Sequence, residues 1–306
     1  MRDVPSISTM AISNAQLDYD AHIGFYANLG MLTGDDREDA YWHRQAEYMH
    51  ALSIFDAIRD VHLDAVSLGH RVARPEAKLQ LQFGVGRRTK FLWLSLQHLV
   101  GLVHPGRTEP LAHDDVEQAA QDLNAIYINI RGTLDNLAWC LLDLFGEQRT
   151  RDIAKTTPQI VSLFGKGFLK DQNLGAIAMV MNGFDEWNRD LRTRRDPAAH
   201  RIPLSVPPAL LDVDTLESYK GTQQEWVEAS TAALKAANEG ADSSALFQKA
   251  EELNTKLESI GSFRPLFVHH PDDGAMSIYP TVPQDIGQLV RIARELFAAI
   301  ADNHPA

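Results

Sequence analysis

The apolar residues of this chain recur mostly at intervals of three and four, which is the period of amphipathic helices. The clearest run spans residues 114–145. Its apolar stripe consists of Val116, Ala120, Leu123, Ile126, Tyr127, Ile130, Leu134, Leu137, Ala138, Leu141, Leu142 and Phe145. Asp114 and Asp115 precede this stripe, where their charges favour the positive end of a helix dipole. The pattern predicts a long helix at the centre of a bundle.

The same period predicts helices on both sides of this one. They lie at about 39–66, 88–103, 158–164, 174–194, 223–238, 243–260 and 284–302. A strand pattern occurs in one place, where PLFVHH and MSIYPTV flank the turn residues Pro271-Asp272-Asp273-Gly274. We therefore predict an all-α bundle of long antiparallel helices, with a small β-hairpin near the C-terminal region.

Three prolines close together mark a boundary in this pattern. Pro203, Pro207 and Pro208 interrupt the helical period, because proline lacks the N–H that a helix interior needs. We divide the chain into an N-terminal extension (1–38), a helical bundle (39–210) and a helical extension with the hairpin (211–306). The sequence leaves open whether this last region belongs to the same domain.

Composition and charge narrow the classes of function. The chain is 44% hydrophobic and 23% charged, as globular proteins are. Its net charge of -12 argues against a broad attraction to nucleic acid, although a local basic patch can still bind phosphate. Cys140 is the single cysteine, so no disulfide forms within the chain, and we expect a reducing, cytoplasmic location. No bilayer-length apolar run or signal-peptide pattern occurs, so we expect no membrane association.

The stretch RRDPAAHR, residues 194–201, carries positive charge within this acidic chain. The arginines in and beside it are Arg189, Arg192, Arg194, Arg195 and Arg201. A histidine can transfer protons near neutral pH, and a guanidinium can hold phosphate oxygens. The other interpretation is structural, since Asp196-Pro197 is a favourable start for a new helical turn. His200 would then be an ordinary helix residue.

The motif Arg195-Asp196-x-x-x-His200 resembles the signature of HEPN domains (higher eukaryotes and prokaryotes nucleotide-binding). The segments YINIRGTLDNLAW and AHRIPLSVPP are similar to one bacterial branch of HEPN-like proteins. The resemblance covers about residues 40–210. It implies a HEPN-like helical bundle that forms a homodimer, with the arginine and histidine of two protomers facing each other.

The resemblance also implies an activity. Many such domains are metal-independent endoribonucleases of toxin-antitoxin and antiphage defence systems. By this resemblance His200 is the general acid/base, Arg195 holds the scissile phosphate, and Asp196 orients one of the two. RNA and an antitoxin or regulatory protein are the implied partners, and no cofactor is expected.

Pro197 departs from the HEPN pattern. It predicts that the motif lies on a short turn, where a long rigid helix is the usual support. This departure favours a second hypothesis, in which the chain is a non-catalytic helical dimer. Such a dimer would bind nucleotide or RNA, or would act as a scaffold for other proteins.

A polar strip on the long central helix is a candidate support for the motif. Arg131 and Asp135 are four residues apart and can pair on one face, with Asn136 beside them. This strip is either a structural pair or a support for the Arg195 and His200 site. Together with Arg192, Arg194 and Arg201, these three residues complete the set of predicted supporting or RNA-binding side chains.

Two further patterns are assigned to structure. Glu47-x-x-His50 has the spacing of carboxylate-bridged metal bundles, but such a site needs a second copy and two more carboxylates, so we predict no metal site. The apolar segment FLWLSL, residues 91–96, is nearly continuous. We interpret it as core or interface, not as a surface for stacking bases.

Overall fold

The computed structural model describes the backbone of residues 12–200, 202–269 and 274–303, and their side chains except those of 169, 197–200 and 303. Helices make up most of it. The first half contains α1 (Tyr19–Asn28), α2 (Asp36–Arg71), α3 (Pro75–Leu79), a π-helical segment (Gln80–Val85), α4 (Gly86–Leu102) and α5 (His113–Phe145). The second half contains α6 (Gln148–Thr156), α7 (Lys166–Lys170), α8 (Gly175–Met181), α9 (Asp185–His200), α10 (Val213–Asn238), α11 (Ser244–Glu258) and α12 (Thr281–Asn303).

Short elements connect these helices. Three 3₁₀ turns lie at Ala15–Leu17, Pro158–Ile160 and Asn182–Phe184. The strands β1 (Leu266–Phe267) and β2 (Met276–Ser277) pair antiparallel. The all-α class with a small hairpin is thereby confirmed, while residues 270–273 of the predicted turn lie outside the described residues.

The long helices begin and end where local chemistry favours it. The Asp35 side chain caps α2 by accepting hydrogen bonds from the N–H groups of Arg37 and Glu38. The central helix α5 starts with Asp114 and Asp115 in its first turn, as predicted. The apolar faces of α2, α4, α5 and α12 meet in one core, and each fully buried leucine or isoleucine contributes about 1.5–3 kcal/mol. Its members include Ile54, Ile58, Leu92, Leu96, Ile130, Leu134, Ile286 and Ile292.

The prediction that Asp196-Pro197 ends a helix is wrong. Helix α9 runs through Pro197 and ends at His200. Pro197 removes only the hydrogen bond that its N–H would make to the carbonyl of Thr193, and this loss falls in the last turn. The motif therefore lies on a helix of 16 residues, not on a short turn.

Two other boundaries differ from the prediction. The predicted helix at 174–194 is divided by the 3₁₀ turn at Asn182–Phe184, where Gly183 weakens the helix. The helix predicted at 158–164 is only the 3₁₀ turn Pro158–Ile160, and the helix in this region is α6, which precedes it.

The C-terminal region contributes to two separate clusters. Apolar residues of α12 are buried in the main core against α2 and α5. Helices α10 and α11 pack on each other around a smaller cluster of Ala229, Ala250 and Leu253, with Trp226 beside it. No helix within the described ranges combines the length and apolarity that crossing a bilayer requires.

Candidate functional site

A cleft of about 220 Å³ lies between α5 and α9. It contains most of the charged residues that the sequence proposed as a site. Its lining residues are Arg131, Asp135, Asn188, Leu191, Arg192, Arg195 and Asp196. We call it the arginine cleft. The structure thus brings the α5 pair and the start of the α9 motif together across 60 residues of sequence.

Two ion pairs organise the arginine cleft. Arg131 Nη2 lies 3.1 Å from Asp135 Oδ1, and Arg195 Nη1 lies 2.8 Å from Asp196 Oδ1. The Arg131 side chain is only 17% exposed, whereas that of Asp196 is 52% exposed. One arginine therefore lies deep in the cleft, while the second pair lies near its mouth.

The charges of the arginine cleft are not balanced. Burial lowers the pKa of Arg131, and nearby Arg195 and Arg192 lower it further, while Asp135 opposes them. Three guanidinium groups thus share the cleft with two carboxylates. An additional anion at this position, such as a phosphate, would relieve the repulsion among the guanidinium groups and accept their hydrogen bonds.

The remaining members of the motif are described less fully. His200 is the last residue of α9, one turn after Asp196, and its side chain lies outside the described residues. Arg201 lies outside the described residues altogether. The continuous helix places the backbone of His200 about 7.5 Å along the α9 axis from Arg195.

Arg194 does not face the arginine cleft. Its Nε and Nη2 atoms each donate to the Asp285 carboxylate of α12 at 2.8 Å, and Trp187 Nε1 donates to the same carboxylate at 3.0 Å. Arg194 and Asp285 are both largely buried, with side chains 12% and 4% exposed. Desolvation raises the pKa of Asp285, and Arg194 and its hydrogen bonds oppose that shift. Arg194 therefore joins α9 to α12, and its guanidinium is not available to RNA.

Asn136 also lies away from the arginine cleft. Its Oδ1 accepts from Arg88 Nε at 2.9 Å, and its Nδ2 donates to Gln80 Oε1 at 2.7 Å. Asn129 Oδ1 accepts from Arg88 Nη1 at 3.3 Å. Arg88 is not predictable from the sequence, since nothing in the local pattern of α4 indicates its contacts with α5.

Glu47, His50 and Cys140 lie outside the arginine cleft. His50 Nε2 donates to the carbonyl of Leu17 at 3.0 Å, and burial lowers the pKa of His50 to about 4. Within the described ranges, no group of three or more histidine, cysteine or acidic side chains is arranged to hold a metal ion. Burial raises the pKa of Cys140 to about 12, so its thiol is a poor nucleophile.

Comparison of the chain with protein-family models, with curated proteins and with solved structures finds no match.

Proposed function

We propose that this protein is a metal-independent endoribonuclease of the HEPN type, with the arginine cleft as its phosphate site. The observation that carries the proposal is the course of α9, which extends without a break from the cleft residues Arg192 and Arg195 to His200. Helix α9 also passes through Pro197, so the motif has helical support of the kind that the resemblance implies. The unbalanced positive charge of the cleft supports the same function.

The proposed reaction uses the RNA's own 2′-hydroxyl as nucleophile. Its oxygen attacks the adjacent phosphorus while the P–O5′ bond breaks, which leaves a 2′,3′-cyclic phosphate and a 5′-hydroxyl. His200 takes the proton from the 2′-hydroxyl, and the leaving O5′ gains a proton from solvent water or from the second copy of this histidine in the dimer. Arg195 holds the phosphate and stabilises its developing charge, and Asp196 keeps Arg195 in place through the 2.8 Å ion pair.

The helical spacing of the motif favours action as a homodimer. Residues five apart on an α-helix differ by about 140° around its axis, so Arg195 and His200 of one protomer do not share a face. A two-fold interface at α9 would place the two copies of the motif against each other. Each phosphate could then meet an arginine and a histidine from different protomers.

Cleavage of RNA in EDTA by the wild type and His200→Ala tests the proposal. We expect the wild type to cleave and His200→Ala to be inactive while eluting as the same oligomer. His70→Ala is the control, because His70 is an exposed histidine of α2. Absence of cleavage by the wild type, or equal cleavage by His200→Ala, contradicts the proposal.

A second candidate is a non-catalytic helical dimer that binds RNA or nucleotide, or holds other proteins. The observation that favours it is that Arg131 and Arg195 already have carboxylate partners in the cleft. Wild-type protein that binds RNA in EDTA but leaves it intact would support this candidate. A defence role, with an antitoxin or regulatory partner, belongs to the ribonuclease proposal alone.

A further inference from the structure

Exposed aromatic and basic side chains lie together along the π-helical segment and α4. Phe83 and Phe91 are 51% and 53% exposed and line one surface cavity. Arg87 lies four residues after Phe83 and four before Phe91. These three residues and Arg88 line a shallow cavity of about 440 Å³. Lys90 is exposed beside them. We call Phe83, Arg87, Arg88, Lys90 and Phe91 the α4 platform.

The positive charges of the α4 platform are uncompensated. Within the described part of the chain, Arg87, Arg88 and Lys90 form no ion pair with a carboxylate. The guanidinium carbon of Arg87 lies 4.8 Å from the ring centroid of Phe83, over its face. In a chain of net charge -12, this surface therefore offers three cations beside two exposed rings, one of which stacks with Arg87 on one face.

Arg88 is held in place by neutral groups. It donates to Asn136 and Asn129 of α5, so its orientation is fixed while its charge stays free for an anion. The absence of a side chain at Gly132 makes room for it, since a Cβ there would lie 2.3 Å from Arg88 Cζ. Asn129 and Asn136 leave the charge of Arg88 without an opposite partner. A phosphate would supply that partner, and a partly buried charge is stabilised most by an opposite charge.

The α4 platform adjoins the arginine cleft through α5. Arg88 contacts α5 at Asn129 and Asn136, and Arg131 and Asp135 of the same helical turns line the cleft. At about 100° per residue, the two pairs lie on different faces of α5, so the platform and the cleft lie on different sides of this helix. A strand whose phosphate occupies the cleft would pass around α5 to reach the platform.

We propose that the α4 platform binds single-stranded RNA, with bases stacked on Phe83 and Phe91 and phosphates held by Arg87, Arg88 and Lys90. Aromatic rings beside a positive groove are the usual means of binding unpaired strands, because every base has a face that can stack. The proposal rests on the proposed function in so far as the bound strand is the substrate. Of residues 91–96, Leu92 and Leu96 are buried in the core, whereas Phe91 is exposed and by this proposal contacts the bases of RNA.

Binding of a fluorescein-labelled single-stranded RNA to the full chain, measured by anisotropy in EDTA, tests this proposal. All proteins carry His200→Ala, so that the probe stays intact. We expect Phe83→Ala/Phe91→Ala to bind at least about tenfold more weakly. We expect Arg87→Gln to weaken binding less and to lower the dependence on salt by about 0.7 in log-log slope. Phe247→Ala is the matched control, since Phe247 is 45% exposed on α11 and distant in sequence.

The outcomes separate this proposal from the ribonuclease proposal. Binding that is lost in the double phenylalanine variant, and a weaker affinity for duplex RNA of the same sequence, support the platform whether or not the wild type cleaves. Unchanged binding by both Phe83→Ala/Phe91→Ala and Arg87→Gln overturns the platform, even if the wild type cleaves RNA. Failure of the parent protein to bind the single strand also overturns it, and would indicate a protein partner for this surface.

Discussion

Arg194 and Asp285 form a bidentate ion pair that joins α9 to α12, with both hydrogen bonds at 2.8 Å. Trp187, two turns earlier on the same face of α9, donates to the same carboxylate. These contacts fix the rotation of α9 about its axis. Because Arg194 faces α12, its neighbour Arg195 is directed to the arginine cleft on the α5 side.

Removing one member of this pair should destabilise the protein strongly. Asp285→Ala leaves the Arg194 charge buried without its partner, which typically costs about 3–5 kcal/mol of unfolding free energy. Urea denaturation measures the loss. The exposed pair of Asp152 and Lys155, also 2.8 Å apart, provides the control, since Asp152→Ala should have a much smaller effect on unfolding free energy. Similar losses of unfolding free energy in the two variants would show that the pair of Arg194 and Asp285 stabilises the protein no more than an exposed ion pair does.

Glu47 should make stability decrease with rising pH. Burial raises the pKa of Glu47 to about 7 from its ordinary 4.5, so the folded state favours the neutral carboxyl. This contribution is fully present below pH 4.5 and is lost as the pH rises to 7. We expect Glu47→Gln to flatten the decline in unfolding free energy over this range, by about 1 kcal/mol after allowing for solvent screening. Glu117→Gln, at an exposed position of α5, should leave the decline unchanged.

Asp135→Asn should strengthen the binding of RNA to the arginine cleft. Asp135 pairs with Arg131 and competes with a phosphate for it, so its neutralisation makes the cleft more positive. We expect a gain of a fewfold in affinity and a steeper dependence on salt. Asp152→Asn makes the same charge change in an ion pair on α6. Weaker binding by Asp135→Asn than by Asp152→Asn would contradict the assignment of the cleft to phosphate.

Gly132→Ala should weaken RNA binding without unfolding the protein. A Cβ at this position would lie 2.3 Å from Arg88 Cζ, so it displaces the flexible end of Arg88 from Asn129 and Asn136. The higher helix propensity of alanine, worth up to about 1 kcal/mol, offsets the lost hydrogen bonds. Anisotropy and urea denaturation together measure both effects. Wild-type affinity in this variant would mean that the orientation of Arg88 does not matter for RNA.

The sequence predicts the elements that local chemistry determines. The apolar stripe and acidic first turn of α5 predict the bounds of that helix to within one residue. The spacing of four residues between Arg131 and Asp135 predicts their ion pair. Pro197 leads to a wrong prediction of a short turn, because a proline close to the end of a helix disturbs few hydrogen bonds and Pro197 lies in the last turn of α9.

Other parts of the site depend on residues far away in the chain. Arg194 and Arg195 are adjacent in sequence, and only Asp285, 91 residues beyond Arg194, determines that one is buried and the other faces the cleft. Asn136 likewise hydrogen-bonds to Arg88, which lies 48 residues before it, and not to residues of the arginine cleft. A period of three and four residues cannot distinguish such neighbours, because both fit the same helix.

The chemistry of the cleaved ends tests the central claim most directly. A defined single-stranded RNA is incubated with the wild type in EDTA, and the products are identified by mass spectrometry. We predict a 2′,3′-cyclic phosphate on one product and a 5′-hydroxyl on the other, with neither product formed by His200→Ala. An intact substrate, or ends that carry a 3′-hydroxyl and a 5′-phosphate, would contradict the claim that Arg195 and His200 cleave RNA without a metal.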